Sequence, residues 1–466
     1  MAEYHVENFG CRASRSDGEA IAAILRHRGL DPAGQPAAAH VVIVNTCSVT
    51  AEADRQARAW LRRIRRQNPE ARVIVTGCYA QRAPEELAAL PEVDAVVGNS
   101  HKAAVADLAA EFAGEVFAAN EYVTDSVTET RADATFVPLA ALAGKVLVDD
   151  TFAHAELAAL PFAADAQQTR PNLKVQDGCG NRCSFCIIPT TRGHSRSVSL
   201  DLCVDNVRRF TDQGGQELVL SGINLGRWGR DLAPVQRFEE LVEAILTQTT
   251  LPRLRLSSIE PMDWSADLLA LYAEHAAGEQ PRLARHTHLP LQSGSDRILR
   301  RMHRRYRPWH YAERLAAIRA LLPDAAIGAD VMVGFPGETD ALFEESFRFI
   351  EAQPFTYLHL FPFSPRPGTP AWELHRQEPV AARTVQERMV ALRTLMAEKF
   401  LVFRSRFVGR VLPAVTIELG AEPASTAAVT DNFLKLSLNS ALPPNRLVKA
   451  RITGLKDEGL TGIAAF

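Results

Sequence analysis

The sequence predicts an α/β protein in three parts: an N-terminal open α/β domain around a parallel sheet, a central partial (β/α)6 barrel, and a small C-terminal antiparallel β module. Three observations carry this expectation. Two successive series of short apolar runs alternate with helical stretches, the pattern of βαβ units. The second series has six repeats, which suggests an open or partial barrel rather than a doubly wound sheet. Beyond Phe400 the pattern changes to alternating apolar and polar residues, as in antiparallel strands.

In the first series a strand at Tyr4–Phe9 runs into Gly10 and Cys11, and a helix is expected at about Asp17–Arg28. The run HVVIVNTC ends at Cys47 and precedes a helix from about Ala51 to Asn68; ARVIVTGC ends at Cys78, and APEELAAL restarts a helix at Pro84. This domain is expected over residues 1–125, followed by a connecting segment of weak periodicity over 126–168. The barrel is expected over 169–398, with strands in NLKVQDGC, ELVLSGINLG, RLRLSSIEP, HTHLPLQSGS, AIGADVMVGFPGE and FTYLHLFPFSP. Leu241–Leu246 and Tyr311–Leu322 are its clearest helical stretches. The β module, over 399–466, contains GRVLPAVTIEL, STAAVTDNFLKLSL and RLVKARITGL; between residues 400 and 466 it carries eight Lys/Arg against five Asp/Glu.

A chain of 466 residues exceeds what one hydrophobic core usually supports. Its 47% hydrophobic and 23% charged residues are an ordinary globular composition, which argues against wholesale disorder. The formal net charge of −3 excludes a protein coated in positive charge, so nucleic-acid contacts would need local patches. No basic-then-apolar segment opens the chain, and no apolar run approaches the ~18 residues of a membrane helix. A cytoplasmic location with no membrane partner is therefore expected. The seven cysteines are an odd number, and without a secretion signal they point to metal or redox chemistry rather than disulfides.

Cys179, Cys183 and Cys186 follow the first barrel strand, where the chemistry of such folds gathers. Zinc sites usually present four ligands, as two cysteine pairs or cysteine with histidine. A [4Fe–4S] cluster normally takes four thiolates, so three would leave one iron open. A zinc knuckle or a cysteine-rich turn is the alternative. Cys11, Cys47 and Cys78 are separated by 36 and 31 residues, each close to one βα unit. They would lie just past the C-terminal ends of neighbouring parallel strands, the edge where open α/β sheets bind ligands. Three separately buried thiols are the alternative. Cys203, seventeen residues after Cys186, is expected to be a packed free thiol.

Two arginine groups could meet a polyanion. Arg55, Arg58, Arg62 and Arg66 share one helix face, with Arg63 and Arg65 beside it. Arg297, Arg300, Arg301, Arg304, Arg305 and Arg307 follow the fourth barrel strand; Arg301 and Arg304 are the RNA contacts expected there. Phosphate contacts of this kind supply salt-dependent affinity, while a solvated helix face is the bland reading. Acidic partners look scarce around both groups in the sequence.

The CxxxCxxC spacing resembles the radical S-adenosylmethionine (SAM) superfamily, and Phe185 matches its aromatic position. The resemblance implies that the open iron chelates SAM. Gly214–Glu217 is similar to the motif that holds the SAM amino group, with Glu217 as acceptor. Gln292, Ser293 and Ser295, and the run Val333–Gly337 with Gly334 allowing close backbone approach, look like cofactor-facing loops. Both triplets together, with the β module, resemble the methylthiotransferase family over essentially the whole chain, the β module being similar to its RNA-binding TRAM domain. NFGCRASRSDGEA, NTCSVTAEADRQAR, VTGCYAQ, LKVQDGCGNRCSFCIIPTTRG and SPRPGTPA look most like the branch acting on tRNA N6-threonylcarbamoyladenosine. The chain departs from relatives at Gly180 and at Arg12–Ser14, without losing a ligand.

That resemblance implies two [4Fe–4S] clusters, SAM, and insertion of a methylthio group at C2 of the adenine beside the anticodon. A C–H bond that is neither acidic nor electrophilic needs radical chemistry, which a cofactor supplies and the protein orients. The implied partners are the tRNA anticodon stem-loop, a sulfur donor and an electron donor such as flavodoxin or ferredoxin. No protein residue beyond the cluster ligands is expected to be catalytic. The same chemistry on isopentenyladenosine or a ribosomal-protein aspartate, and a non-enzymatic zinc-dependent RNA-binding protein, are the competing functions.

Overall fold

A computed structural model of the chain describes residues 2–114, 146–153, 162, 169–420 and 424–465; most of the expected connecting segment lies outside them. Two compact units result: Met1–Ala163 with Thr190–Gly193, and Ala164–Pro189 with His194–Phe466. Thr190–Gly193, only a few residues past the barrel triplet in sequence, thus belongs to the first unit in space.

The first unit is built on six parallel strands: β1 (Glu3–Asn8), β2 (Asp31–Pro32), β3 (Val41–Thr46), β4 (Arg72–Gly77), β5 (Ala95–Val97) and β6 (Val146–Leu147), in the order β2-β1-β3-β4-β5-β6. Every residue of β3 is buried, as expected of a parallel strand covered on both faces. Alternate residues serve opposite faces. Val42, Val44, Val73 and Val75 pack on Trp60, Leu61 and Ile64 of the helix Ala51–Gln67. Val41, Ile43 and Ile74 pack instead with Ile21 and Leu25 of the helix Arg12–His27, and with Val105 and Leu108. Thr50 caps the helix Ala51–Gln67 by accepting from the Ala53 amide at 3.2 Å, worth about 1 kcal/mol.

The second unit begins with β7 (Asn172–Asp177), β8 (Arg196–Ser197), β9 (Glu217–Gly222), β10 (Arg253–Leu256), β11 (His286–His288), β12 (Ala326–Val333) and β13 (Tyr357–Pro362). They form a sheet β10-β9-β7-β8 and a sheet β11-β12-β13, with a parallel bridge from Leu254 to Leu283 between them. All six expected strands are present. The short antiparallel β8 was not anticipated, because two residues carry no periodicity.

The 24-residue helix Ala382–Ser405 leads to a closed barrel of β14 (Val411–Leu419), β15 (Thr426–Thr430), β16 (Lys435–Leu438), β17 (Leu447–Lys456) and β18 (Gly459–Ala465). Its pairs are antiparallel except β16 with β18, which run parallel where the barrel closes. Its core gathers Leu412, Leu434, Leu436, Leu438, Ile452 and Leu460 with Phe403 and Phe407.

This module seats on the N-terminal strand ends of the larger barrel. Arg255 of β10 donates to the carbonyls of Asp431 and Thr430 at 3.0 and 3.1 Å, and Arg285 pairs with the Asp431 carboxylate. Phe433 packs on His286, with ring centroids 4.4 Å apart, and under the guanidinium of Arg255.

Candidate metal centres

In the first unit the sheet order makes β1, β3 and β4 neighbours, and their C-terminal ends are flush: Asn8 lies opposite Asn45, and Thr46 opposite Gly77. Cys11, Cys47 and Cys78 follow those ends directly. Two glycines allow the approach. Gly10, at φ +112°, faces Cys47 so closely that a Cβ would lie 2.5 Å from the Cys47 Cβ. Gly77, at φ +96°, would put a Cβ 2.3 Å from the Thr46 carbonyl oxygen. Cys47 and Cys78 are buried and Cys11 is exposed, so the group has one open side.

All three are free thiols. Burial pushes the Cys47 thiol up to about 12, and the neighbouring Cys78 and Cys11 push the same way, against the Val49 amide and Arg192. Three thiols converging at one sheet edge fit a cationic group that takes them as thiolates. Donors surround them: Asn99 Nδ2 lies 3.6 Å from Cys78 Sγ, and Ser14 Oγ 3.7 Å from Cys11 Sγ. Arg192, fully buried, donates to Ser14 Oγ at 3.3 Å and to Asp17 at 3.2 Å, while Lys102 pairs with the same carboxylate. Arg192 and Lys102 thus bring two cationic side chains close to the residues that line the thiol group. Arg192 was missed from sequence; its place in IIPTTRG, six residues past Cys186, was the only signal.

In the second unit the loop after β7 carries Cys179, Cys183 and Cys186. Gln176 shapes its start by donating to the Gly178 carbonyl at 2.7 Å and to Ser195 Oγ at 2.9 Å. Ser184 pins its middle, donating from its amide to Met302 O at 3.1 Å and from its hydroxyl to Arg301 O at 2.8 Å. Cys179 Sγ accepts from the Asn181 amide at 3.4 Å and from Asn224 Nδ2 at 3.6 Å. Burial, reinforced by Cys183, pushes the Cys186 thiol up to about 12, and burial also raises Cys179. These three thiols fit a cationic cluster as the first three do. Cys203, buried in the helix Leu200–Asp212, has its thiol raised by burial alone.

Arg304 departs from expectation. It is 7% exposed, and its Nη1 donates to Cys183 Sγ at 3.2 Å. Its other nitrogens reach Glu260 at 2.5 Å and Tyr306 Oη at 3.0 Å. It therefore serves the barrel triplet and is no phosphate contact; the charge-rich run around it hid a buried residue.

Glu217 is also corrected. It opens β9 at the N-terminal end, whereas the cysteines lie past the C-terminal ends. Its carboxylate is fully buried and paired with Arg170 and Arg255 at 2.8 Å and Arg253 at 3.4 Å. Burial alone would raise its pKa, but the three guanidiniums hold it well below the usual carboxylate range. It is part of the barrel floor. The residues past the far end of β9 are Ile223 and Asn224, and Asn224 is the one that reaches a cysteine.

The other loops lie where expected, with one revision. Gln292, at φ +66° and 7% exposed, has its Oε1 buried without a hydrogen-bond partner. Ser293 Oγ accepts from the Ser295 amide at 3.2 Å, and Ser295 Oγ donates to Glu345 at 2.7 Å. Phe185 is half-buried in the cysteine loop. Gly334 does need to be glycine, at φ +79°, but the close neighbour is Val385, 2.4 Å from where a Cβ would stand. Its amide donates to Glu338 at 2.8 Å.

Acidic partners, expected to be scarce around the arginines, are in fact present. Arg55 pairs with Glu52 at 2.7 Å, Arg58 with Glu86 at 2.9 Å, and Arg65 with Asp94 at 2.6 Å. Arg301 pairs with Glu378 at 2.9 Å, and Arg300 and Arg307 with Asp296 at 2.9 and 3.3 Å. Glu86, Asp94 and Glu378 come from distant sequence, so helix spacing could not reveal them. Arg62 and Arg66 are exposed and, among the described residues, have no ion pair within 4.0 Å.

Two thiol triplets at strand ends, one on a partial (β/α)6 barrel, define the class: a radical SAM enzyme with a second iron–sulfur site. Residues 173–350 match the Radical SAM superfamily and residues 3–98 the uncharacterized protein family UPF0004. The chain is 32% identical to the threonylcarbamoyladenosine tRNA methylthiotransferase MtaB of Bacillus subtilis, covering 94% of this chain and 90% of that protein. It is 33% identical to the protein of that name from Aquifex aeolicus, covering 96% and 99%. A tRNA-2-methylthio-N(6)-dimethylallyladenosine synthase from Novosphingobium aromaticivorans is 32% identical, covering 90% and 88%. The chain belongs to the methylthiotransferase family of radical SAM enzymes. Its cofactors are SAM and [4Fe–4S] clusters, two per chain. Among solved structures, the radical SAM methyltransferase TsrM from Kitasatospora setae shares the fold, with TM-score 0.55 and 15% identity over 81% of this chain and 75% of that one.

Proposed function

We propose that the chain methylthiolates C2 of N6-threonylcarbamoyladenosine beside the anticodon of tRNA. The observation that carries this reading is the pair of thiol triplets, each gathered at C-terminal strand ends, in a chain alike over nearly its full length to relatives bearing that name. The resemblance to a dimethylallyladenosine enzyme favours that adenosine as the second reading.

Cys179, Cys183 and Cys186 would hold the SAM-binding cluster, and Cys11, Cys47 and Cys78 the other. When bound, these groups supply one-electron cleavage of SAM and a site for the sulfur to be inserted. The chain's own part is binding, orientation and shielding. Arg304 and Asn224 place N–H donors on Cys183 and Cys179, where they would tune any cluster held there. Arg192 and Lys102 bring cationic side chains close to the residues that line the other triplet. The Gln292 side chain amide, Phe185 and the loops of Ser293 and Gly334 are candidate contacts for SAM.

For RNA, Arg62 and Arg66 are the candidate phosphate contacts on their helix face, together with the basic C-terminal barrel. Selection of one unpaired loop nucleotide would come from stacking and edge contacts. A sulfur donor and a reductant such as flavodoxin or ferredoxin complete the system.

Mass spectrometry of tRNA nucleosides with and without the gene tests the reading. Loss of the 2-methylthio form of N6-threonylcarbamoyladenosine alone is expected. Loss of the methylthio form of isopentenyladenosine selects the second reading, and an unchanged profile removes both.

A further inference from the structure

One cluster of metal-ligating side chains belongs to neither triplet. His288 on β11, Asp330 on β12 and His359 on β13 stand on three adjacent parallel strands. The register brings them together. His288 lies opposite Gly328, and Asp330 opposite His359; residues two apart share a face, so all three side chains leave the sheet on one side. Gly328 leaves room for the Tyr357 ring, which lies over it beside the cluster; a Cβ there would fall 2.0 Å from that ring.

The distances suit a ligand set. Asp330 Oδ1 is 3.6 Å from His288 Nε2 and 3.3 Å from His359 Nδ1, and one ligand atom from each of the three residues lies within 4.8 Å of the others. The His359 contact is a long hydrogen bond and the His288 contact is longer than the usual ~2.7–3.2 Å, so neither nitrogen is drawn tightly onto the carboxylate. Both distances lie close to the roughly 3.3–3.4 Å edge of a tetrahedron whose ligands stand ~2.0–2.1 Å from the ion. His288 Nδ1 is hydrogen-bonded to Ser258 Oγ at 2.8 Å. That fixes the ring and leaves Nε2 toward Asp330, as outer partners do for metal-bound imidazoles. The side chains of Asp330 and His359 are 26% and 61% exposed, which gives an ion a way in.

We infer that His288, Asp330 and His359 form a third metal site, which takes a single divalent first-row transition cation such as zinc. Two imidazoles and a carboxylate suit such ions, and three protein ligands leave a position for water or another oxygen donor. The site is chemically separate from the soft thiolate sets.

Zinc added in equimolar amount to the anaerobically reconstituted holoenzyme, followed by desalting and elemental analysis, tests this. The full chain should retain one zinc beyond its iron. His359→Gln and Asp330→Asn should each weaken retention at least tenfold with iron content unchanged; His359 is exposed enough for its variant to fold. Cobalt in place of zinc should give ligand-field bands without thiolate charge transfer. No retained zinc, retention in the variants equal to that of the wild type, or a thiolate-to-cobalt band would each overturn the site.

Discussion

The two triplets solve one problem in opposite ways. Cys179, Cys183 and Cys186 occupy a single loop, whose own hydrogen bonds and the Ser184 anchors hold it in shape. Cys11, Cys47 and Cys78 are gathered from three strand ends and meet only because β1, β3 and β4 are adjacent and in register. The single-loop site asks of the rest of the chain its anchors at Arg301 and Met302 and its donors Asn224 and Arg304, whereas the distributed site depends on the register of a whole sheet. The local triplet should therefore tolerate damage elsewhere, and the distributed one should fail with small changes to its strand ends.

The largest expected effect is at the barrel triplet. Cys183→Ala should reduce reductive SAM cleavage to background and lower iron from about eight to about four per chain, while far-UV circular dichroism stays unchanged. Retained cleavage would remove Cys183 from the cluster.

Gly77→Val should do the complementary damage. A side chain cannot share space with the Thr46 carbonyl oxygen at φ +96°. Iron should again fall by about half, with SAM cleavage kept and the methylthio nucleoside lost. If both cluster signals vanish together, the two sites are not independent.

A smaller effect is expected at the barrel floor. Glu217→Gln removes the carboxylate that pairs the buried Arg253 and Arg255 and the partly buried Arg170, and should cost about 3–5 kcal/mol in urea unfolding. The folded-state pKa of Glu217 is depressed. Its stabilisation is thus complete above the ordinary glutamate value of about 4.3 and is withdrawn as pH falls below it. The variant should show a flatter loss of stability in that acid range than the wild type; identical acid limbs would contradict the assignment. This would also show how far the local triplet depends on the barrel beneath it.

The smallest effect concerns RNA. Arg62→Ala and Arg66→Ala should each weaken tRNA binding severalfold and lower the salt slope by about one, whereas Arg304→Ala should leave the slope unchanged. An unaltered slope in the first two would assign that helix face to solvent.

Periodicity revealed the six barrel strands and the strand-end cysteines because burial on a strand leaves a local apolar run. The motif resemblance gave Glu217 the wrong role, although the residue enters its strand as read, because residue types alone do not say which strand end faces the cofactor. Periodicity misjudged Arg58, Arg65 and Arg301 because Glu86, Asp94 and Glu378 approach through folding, not spacing.

By itself the sequence determined the α/β architecture, the six candidate thiol ligands and the family resemblance, all of which rest on residue type and local period. Only the tertiary structure decided that Arg304 serves a sulfur, that Arg192 joins the first unit, and that His288, Asp330 and His359 meet. Those facts depend on strand register and on contacts between residues far apart in the chain, which no local pattern records.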